Sequence, residues 1–219
     1  MCGSTETRWR SGAICPDCEA ALRPLVQPYC HRCGLASPAI EGLCGRCITG
    51  ETRYELGRAA LRFDARLRTI IHHFKYNDRV SLARPLGRAM RQCLDANSFN
   101  PDLVVPVPLH RRRERERGYN QSALLAASLD LKVDARLVRR RVDTGSQTGK
   151  SLPYRLRNVR GAFECAGPVR GSILLVDDVQ TTGATVNEIA RVLKKNGADR
   201  VEVLTAARVA DDGWIAAGE

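Results

Sequence analysis

The sequence predicts an α/β protein, a central and mainly parallel sheet flanked by helices, with a small zinc-ribbon-like module at its N-terminus. Three observations carry this prediction. Most of the 9 cysteines lie before Gly50. From Asp102 onward, apolar runs of strand length alternate with amphipathic stretches. The run SILLVDD passes through TTGAT straight into a helical pattern. The expected division is residues 1–50 for the ribbon module and 51–219 for the α/β domain.

Up to Gly50 the chain is rich in Cys, Pro and Gly and has no long periodic run. So short a segment cannot bury a useful core and needs a metal to hold it. Cys30-His31-Arg32-Cys33 and Cys44-Gly45-Arg46-Cys47 form two C-x2-C knuckles, each offering two thiolates to one zinc ion. From Tyr54 to Asp95 the pattern reads as helical, with Leu67, Ile70, Ile71 and Phe74, then Leu82, Leu86 and Met90, at helical spacing. DLVVPVP is a strand entering a proline-stiffened loop, and the arginine-rich stretch after it reads as a charged loop. QSALLAASLDL is a helix with Asn120 as its N-cap. ARLVRRRV is a short strand, and Asp143–Arg160 reads as a long mobile loop. SILLVDD is a buried strand, GATVNEIARVLKKNGA a helix closed by Gly197, and DRVEVLTAARV the next strand.

Composition narrows the functional classes. A net charge of +11 favours anionic partners, either phosphorylated metabolites or nucleic acid. No run approaches the length of a membrane span, and the N-terminus lacks a secretory pattern, so the expected location is the cytoplasm. In that reducing compartment paired cysteines read as metal ligands rather than disulfides.

The stretch Ile173–Leu193 holds the densest chemistry. Ligands in such sheets bind beyond the carboxyl ends of the strands. There the chain places Asp177 and Asp178, then Thr181, Thr182, Gly183, Ala184 and Thr185. Small residues let backbone N–H groups approach an anion, and the helix starting near Ala184 aims its positive end at the same spot. This is a phosphate cup. The two carboxylates repel phosphate and suit sugar hydroxyls, or a magnesium ion met through water. The ligand implied is a phosphorylated ribose.

This combination resembles the phosphoribosyl-pyrophosphate (PRPP) motif of type I phosphoribosyltransferases. Over nearly its full length the chain is similar to the competence protein F (ComF) family. The matching elements are FKY at Phe74–Tyr76, PVPLHRRRERERGYNQ at Pro106–Gln121, LLA at Leu124–Ala126, Thr144–Gln147, Arg155–Phe163 and VDDVQTTGAT. The resemblance implies a type I phosphoribosyltransferase fold. It implies that Asp177 and Asp178 hold the ribose hydroxyls, that Thr181–Thr185 wrap the 5-phosphate, and that magnesium accompanies the ligand. It further implies that the loop of Val107 and Pro108, with Arg117 nearby, holds pyrophosphate, and that Asp143–Arg160 closes over the bound ligand. No histidine falls where a general base should flank the anomeric carbon. Members of the family often begin with a double zinc ribbon, which adds Cys15 and Cys18 to the metal ligands. Here the pair before them is only Cys2-Gly3. That second site is vestigial, is completed upstream, or uses three thiolates and another ligand.

Three functions compete. The first is phosphoribosyl transfer to an unidentified acceptor. The second is handling of single-stranded DNA together with competence proteins, favoured by Arg136, Arg139, Arg140 and Arg141 but tempered by an aromatic content of only 5%. The third is a non-catalytic PRPP sensor. A homo-oligomer is compatible with each.

Overall fold

A computed structural model describes residues 14, 18–19, 22–142 and 159–209. Strands β1 (Leu56–Arg62), β2 (Leu103–Pro106), β5 (Ser172–Gln180) and β6 (Arg200–Arg208) form one sheet in the order β1-β6-β5-β2. All of its pairings are parallel, with Leu56 opposite Glu202, Ser172 opposite Arg200 and Leu103 opposite Ile173. Strands β3 (Val138–Arg140) and β4 (Phe163–Cys165) pair antiparallel as a separate ribbon. The helices are α1 (Gly45–Ile48), α2 (Ala65–Tyr76), α3 (Ala83–Asp95), α4 (Arg111–Arg117), α5 (Gln121–Ala127) and α6 (Ala184–Lys195). Among the described residues no helix is long and apolar enough to cross a membrane.

Both faces of the sheet are covered, as parallel sheets require. Strand residues alternate sides, so Leu174, Val176 and Leu204 pack against Leu67, Phe74, Leu86, Met90 and Leu125 from α2, α3 and α5. Ile173, Leu175, Val201 and Val203 face the other way, onto Ile189 and Leu193 of α6, Phe163 of β4 and the cysteines of the ribbon. The sheet edges are protected as well. Leu25 N–H donates to the Ala60 carbonyl on β1 at 3.0 Å, and Val104 N–H on β2 donates to Lys132 at 2.8 Å.

Several helix ends follow from local chemistry. The Asp64 carboxylate caps α2 by accepting from Leu67 N–H at 2.7 Å. Asn120 caps α5 through Ser122 N–H and Ala123 N–H, as its sequence context predicts. Gly197 lies just past α6 with φ 105°, in the conformation that ends helices.

Three elements differ from the sequence expectation. Residues Leu56–Arg62 form a strand where a helical segment is expected. Its glycine, alanines and arginines carry little strand propensity, and pairing with β6 decides the matter. Arg111–Arg117 is a helix rather than a charged loop. It buries nothing, so hydrophobic periodicity cannot reveal it; Arg112 bonds Glu116 one turn on at 2.8 Å, and Gly118 ends it with φ 80°. Strand β5 also continues past Asp178 to Gln180. The loop expected at Asp143–Arg160 lies outside the described residues except for Val159 and Arg160.

Candidate functional site

The four thiols expected to hold zinc do converge. The Sγ atoms of Cys30, Cys33, Cys44 and Cys47 all lie within 4.8 Å of one another, and all four residues are buried. Cys33 Sγ and Cys44 Sγ are 3.6 Å apart, close to the ~3.8 Å edge of a tetrahedron with Zn–S near 2.3 Å. Cys30 Sγ accepts from Cys44 N–H at 3.3 Å and Cys33 N–H at 3.5 Å. Burial opposes the Cys30 thiolate, but these amides outweigh it and bring the thiol down to about 6. Burial pushes Cys33 strongly upward, with the nearby Arg208 guanidinium acting the other way. Thiolates crowded in this manner need a cation, and zinc would supply it. Of the expected second site, Cys18 is buried among Leu61 and its neighbours, while Cys2 and Cys15 lie outside the described residues.

The carboxylates come from β5 but their partners come from elsewhere. Asp177 accepts from the Ser122 hydroxyl of α5 at 2.8 Å and from Asp178 N–H at 3.0 Å. Asp178 pairs with Lys75 Nζ, from the last turn of α2, at 2.7 Å. The side chains of this pair are 4% and 23% exposed respectively, so it is a sheltered ion pair. Burial pulls the Lys75 ammonium down, but the Asp178 carboxylate beside it more than compensates and leaves it raised. Burial first, and then the charge of Asp178, push the Asp177 carboxyl up to about 7. Among the described residues the Lys75 charge, the Ser122 hydroxyl and the Asp178 amide act the other way.

Lys75 is the residue that reading the motifs missed. It stands in the middle of the FKY segment, whose pattern signals helix packing rather than a charge aimed at a strand. Its neighbours hold it in place. The Tyr119 hydroxyl donates to the Phe74 carbonyl, and the Arg117 guanidinium lies 5.1 Å from the Tyr76 ring centroid. Arg117 also donates to the Gln121 side chain, so it braces α2 against α5. Val107 N–H donates to the Val176 carbonyl at 2.9 Å, which sets Val107 and Pro108 beside the start of the acidic pair. Asn120 reinforces that loop by donating to the Val107 carbonyl at 3.1 Å.

The turn between β5 and α6 is tight. Gly183 has φ 74°, and a Cβ there would lie 2.8 Å from Gln180 Nε2. A side chain is therefore refused for two reasons, conformation and space. Thr182 Oγ1 accepts from Ala184 N–H at 3.3 Å, and Asn187 N–H closes the first helical bond to Gly183 at 2.9 Å. Thr181 is exposed, Thr182 and Thr185 are half-buried and Ala184 is buried.

A parallel sheet with this acidic pair and turn at a strand's carboxyl end belongs to the α/β proteins whose ligand crevice lies beyond the strands, here with a zinc ribbon against the same edge. Comparisons with known proteins identify the ribbon and the family. The double zinc ribbon domain model matches residues 1–48. The chain is 35% identical over 205 residues to the DNA utilization protein YhgH of Escherichia coli (strain K12), covering 89% of this chain and 90% of that one. It is 32% identical over 209 residues to competence protein F of Haemophilus influenzae, again covering 89% and 90%. The chain belongs to the competence protein F family. Among solved structures, an adenine phosphoribosyltransferase superposes with a TM-score of 0.40 at 18% identity, covering 61% of this chain and 73% of that one.

Proposed function

We propose that this protein binds PRPP with magnesium at the carboxyl end of β5 and transfers its phosphoribosyl group to an acceptor. One observation carries the reading. A sheltered carboxylate pair is followed, after Val179 and Gln180, by a turn of hydroxyl residues and glycine at the start of the 12-residue helix α6. The turn amides and the hydroxyls of Thr181, Thr182 and Thr185 suit a 5-phosphate, and the helix end favours its charge. Asp177, oriented by Ser122, and Asp178, held by Lys75, suit the ribose hydroxyls as acceptors.

Magnesium, met through water by the same carboxylates, would screen pyrophosphate charge as the leaving group departs. The bond from the anomeric carbon to the pyrophosphate oxygen breaks, its electron pair leaving with pyrophosphate, and a bond from the acceptor's nucleophilic atom forms as that atom's proton passes to the departing pyrophosphate or to solvent. Lys75 places a positive charge near this centre, and Val107 and Pro108 shape the wall beside it. The test is to mix zinc-loaded protein with PRPP, magnesium and a panel of nitrogenous bases. Base-dependent pyrophosphate release that disappears in Asp177→Asn supports transfer. Binding without release from any acceptor supports the sensor reading, and no calorimetric binding at millimolar PRPP removes both.

A second reading is handling of single-stranded DNA, favoured by the names of the relatives and by the exposed Arg139 in β3 with Arg136 and Arg141 on either side of it. Binding should then fall steeply with salt. A flat salt response, or unchanged binding after Arg139, Arg140 and Arg141 are replaced by Ala, would exclude it.

A further inference from the structure

The ribbon touches the turn at a defined point. Arg46 lies between Cys44 and Cys47 in α1, and its Nη1 donates to the Thr182 carbonyl at 2.5 Å. A second clamp stands next to it. Asn187, in the first turn of α6, donates from Nδ2 to the Glu51 carbonyl at 2.7 Å and accepts Arg53 N–H on Oδ1 at 2.8 Å. Thr181–Gly183 line a cavity of about 1040 Å³ together with Leu35, Ile40 and Leu43 of the ribbon. On this side the hydrogen bonds of Arg46 and Asn187 tie the turn and the start of α6 to the ribbon and the segment after it.

The position of Arg46 depends in turn on the thiolates. Helix α1 has four residues, far too few to be stable alone. Cys44 stands at its N-cap and Cys47 lies within it, so the ion that those thiolates hold fixes the helix and the arginine it carries. The same thiolate cluster reaches the end of the sheet from another side. Arg208 of β6 donates to the Cys33 carbonyl, and Gln180, the last residue of β5, donates to the buried Tyr54 hydroxyl at 2.9 Å.

We infer that Arg46 is a positioning residue for the Thr181–Thr185 turn, and that metal occupancy at Cys30, Cys33, Cys44 and Cys47 is linked through it to anion affinity at that turn. Only the identity of the anion rests on the PRPP reading. Linkage is reciprocal, so a ligand on the turn must slow loss of the metal as much as the metal strengthens the ligand.

The test uses the full chain loaded with zinc. In calorimetric titrations with PRPP and magnesium, Arg46→Ala is expected to bind on the order of tenfold more weakly than wild type. Arg46→Lys, which keeps a donor, should recover part of that loss. PRPP should slow zinc transfer to a chromogenic chelator in wild type, and this protection should shrink in Arg46→Ala. Asn187→Ala, which leaves the metal knuckles untouched, should also weaken PRPP binding and covers the case in which Arg46→Ala fails to retain zinc. Equal PRPP affinity in wild type, Arg46→Ala and Asn187→Ala overturns the inference and leaves the PRPP site standing. If wild type binds no PRPP, the ligand reading falls, and hydrogen exchange of the unliganded protein decides the inference. Faster exchange at residues 181–185 in Arg46→Ala and after zinc removal, reversed by Arg46→Lys, supports it, and unchanged exchange overturns it.

Discussion

The thiolate cluster and the carboxylate pair are two polar centres among the described residues, and they are built in opposite ways. The cluster takes its ligands from 18 consecutive residues, Cys30 to Cys47, and closes on itself. The acidic site takes Asp177 and Asp178 from one strand, Lys75 from a helix about a hundred residues earlier and Ser122 from another helix. A metal bond is strong enough to organise a short segment that has no core. Carboxylates have no such bond and depend on a sheet and two helices arriving first. Each centre should therefore fail in its own way.

Removing the metal should have the largest effect. Chelation, or Cys33→Ser with Cys44→Ser, removes the bonds that replace a core and leaves buried thiols beside β1 and β6. A fall in melting temperature of more than about 10 °C is expected in scanning calorimetry. An unchanged melting curve would break the comparison, because the ribbon would then be held by packing alone.

Next comes Lys75→Met. It leaves Asp178 buried without its cation and should cost about 3 kcal/mol in denaturant unfolding. The double variant with Asp178→Asn should recover most of this, since no charge is then stranded. Additive losses in the cycle would mean that the pair is not coupled.

Gly183→Ala should follow, with a loss on the order of 1–2 kcal/mol from the positive φ and the contact with Gln180. It should weaken PRPP binding more than it weakens folding, which calorimetry with and without ligand can separate.

The smallest effect concerns pH. In the unliganded protein the Asp177 carboxyl stands at about 7, above its unfolded value of about 3.9. The folded state therefore holds this proton more firmly, and stability falls as pH rises through that interval. Asp177→Asn removes the effect. It should be more stable than wild type at pH 8 by on the order of 1 kcal/mol, and the advantage should fade as pH drops from about 7 toward about 4. A constant difference at all pH values would place the cost elsewhere.

Particular residues show how far each centre can be read in advance. The zinc knuckles, the Asp177–Asp178 pair, the turn at Gly183 and the cap at Asn120 are visible because each depends on neighbours within a few residues. Lys75 is not, because nothing near it in the chain distinguishes a lysine aimed at a carboxylate from one aimed at water. Strand β1 is hidden for a related reason: its place rests on pairing with β6 and on Gly57, where a Cβ would lie 2.7 Å from the Tyr54 ring. Helix α4 escapes because its stabilising pairs are charged and its pattern has no apolar stripe.

From its sequence alone this protein was committed to an α/β sheet, a four-thiolate knuckle and an acidic strand end followed by a small-residue turn. Those features follow from propensity, periodicity and ligand spacing, which act over short stretches of chain. Only the tertiary structure set Lys75 against Asp178, Ser122 against Asp177 and Arg46 against Thr182. Such contacts exist because burial of the two faces of the sheet brings distant segments together, and that collective packing is written in no single stretch of the chain.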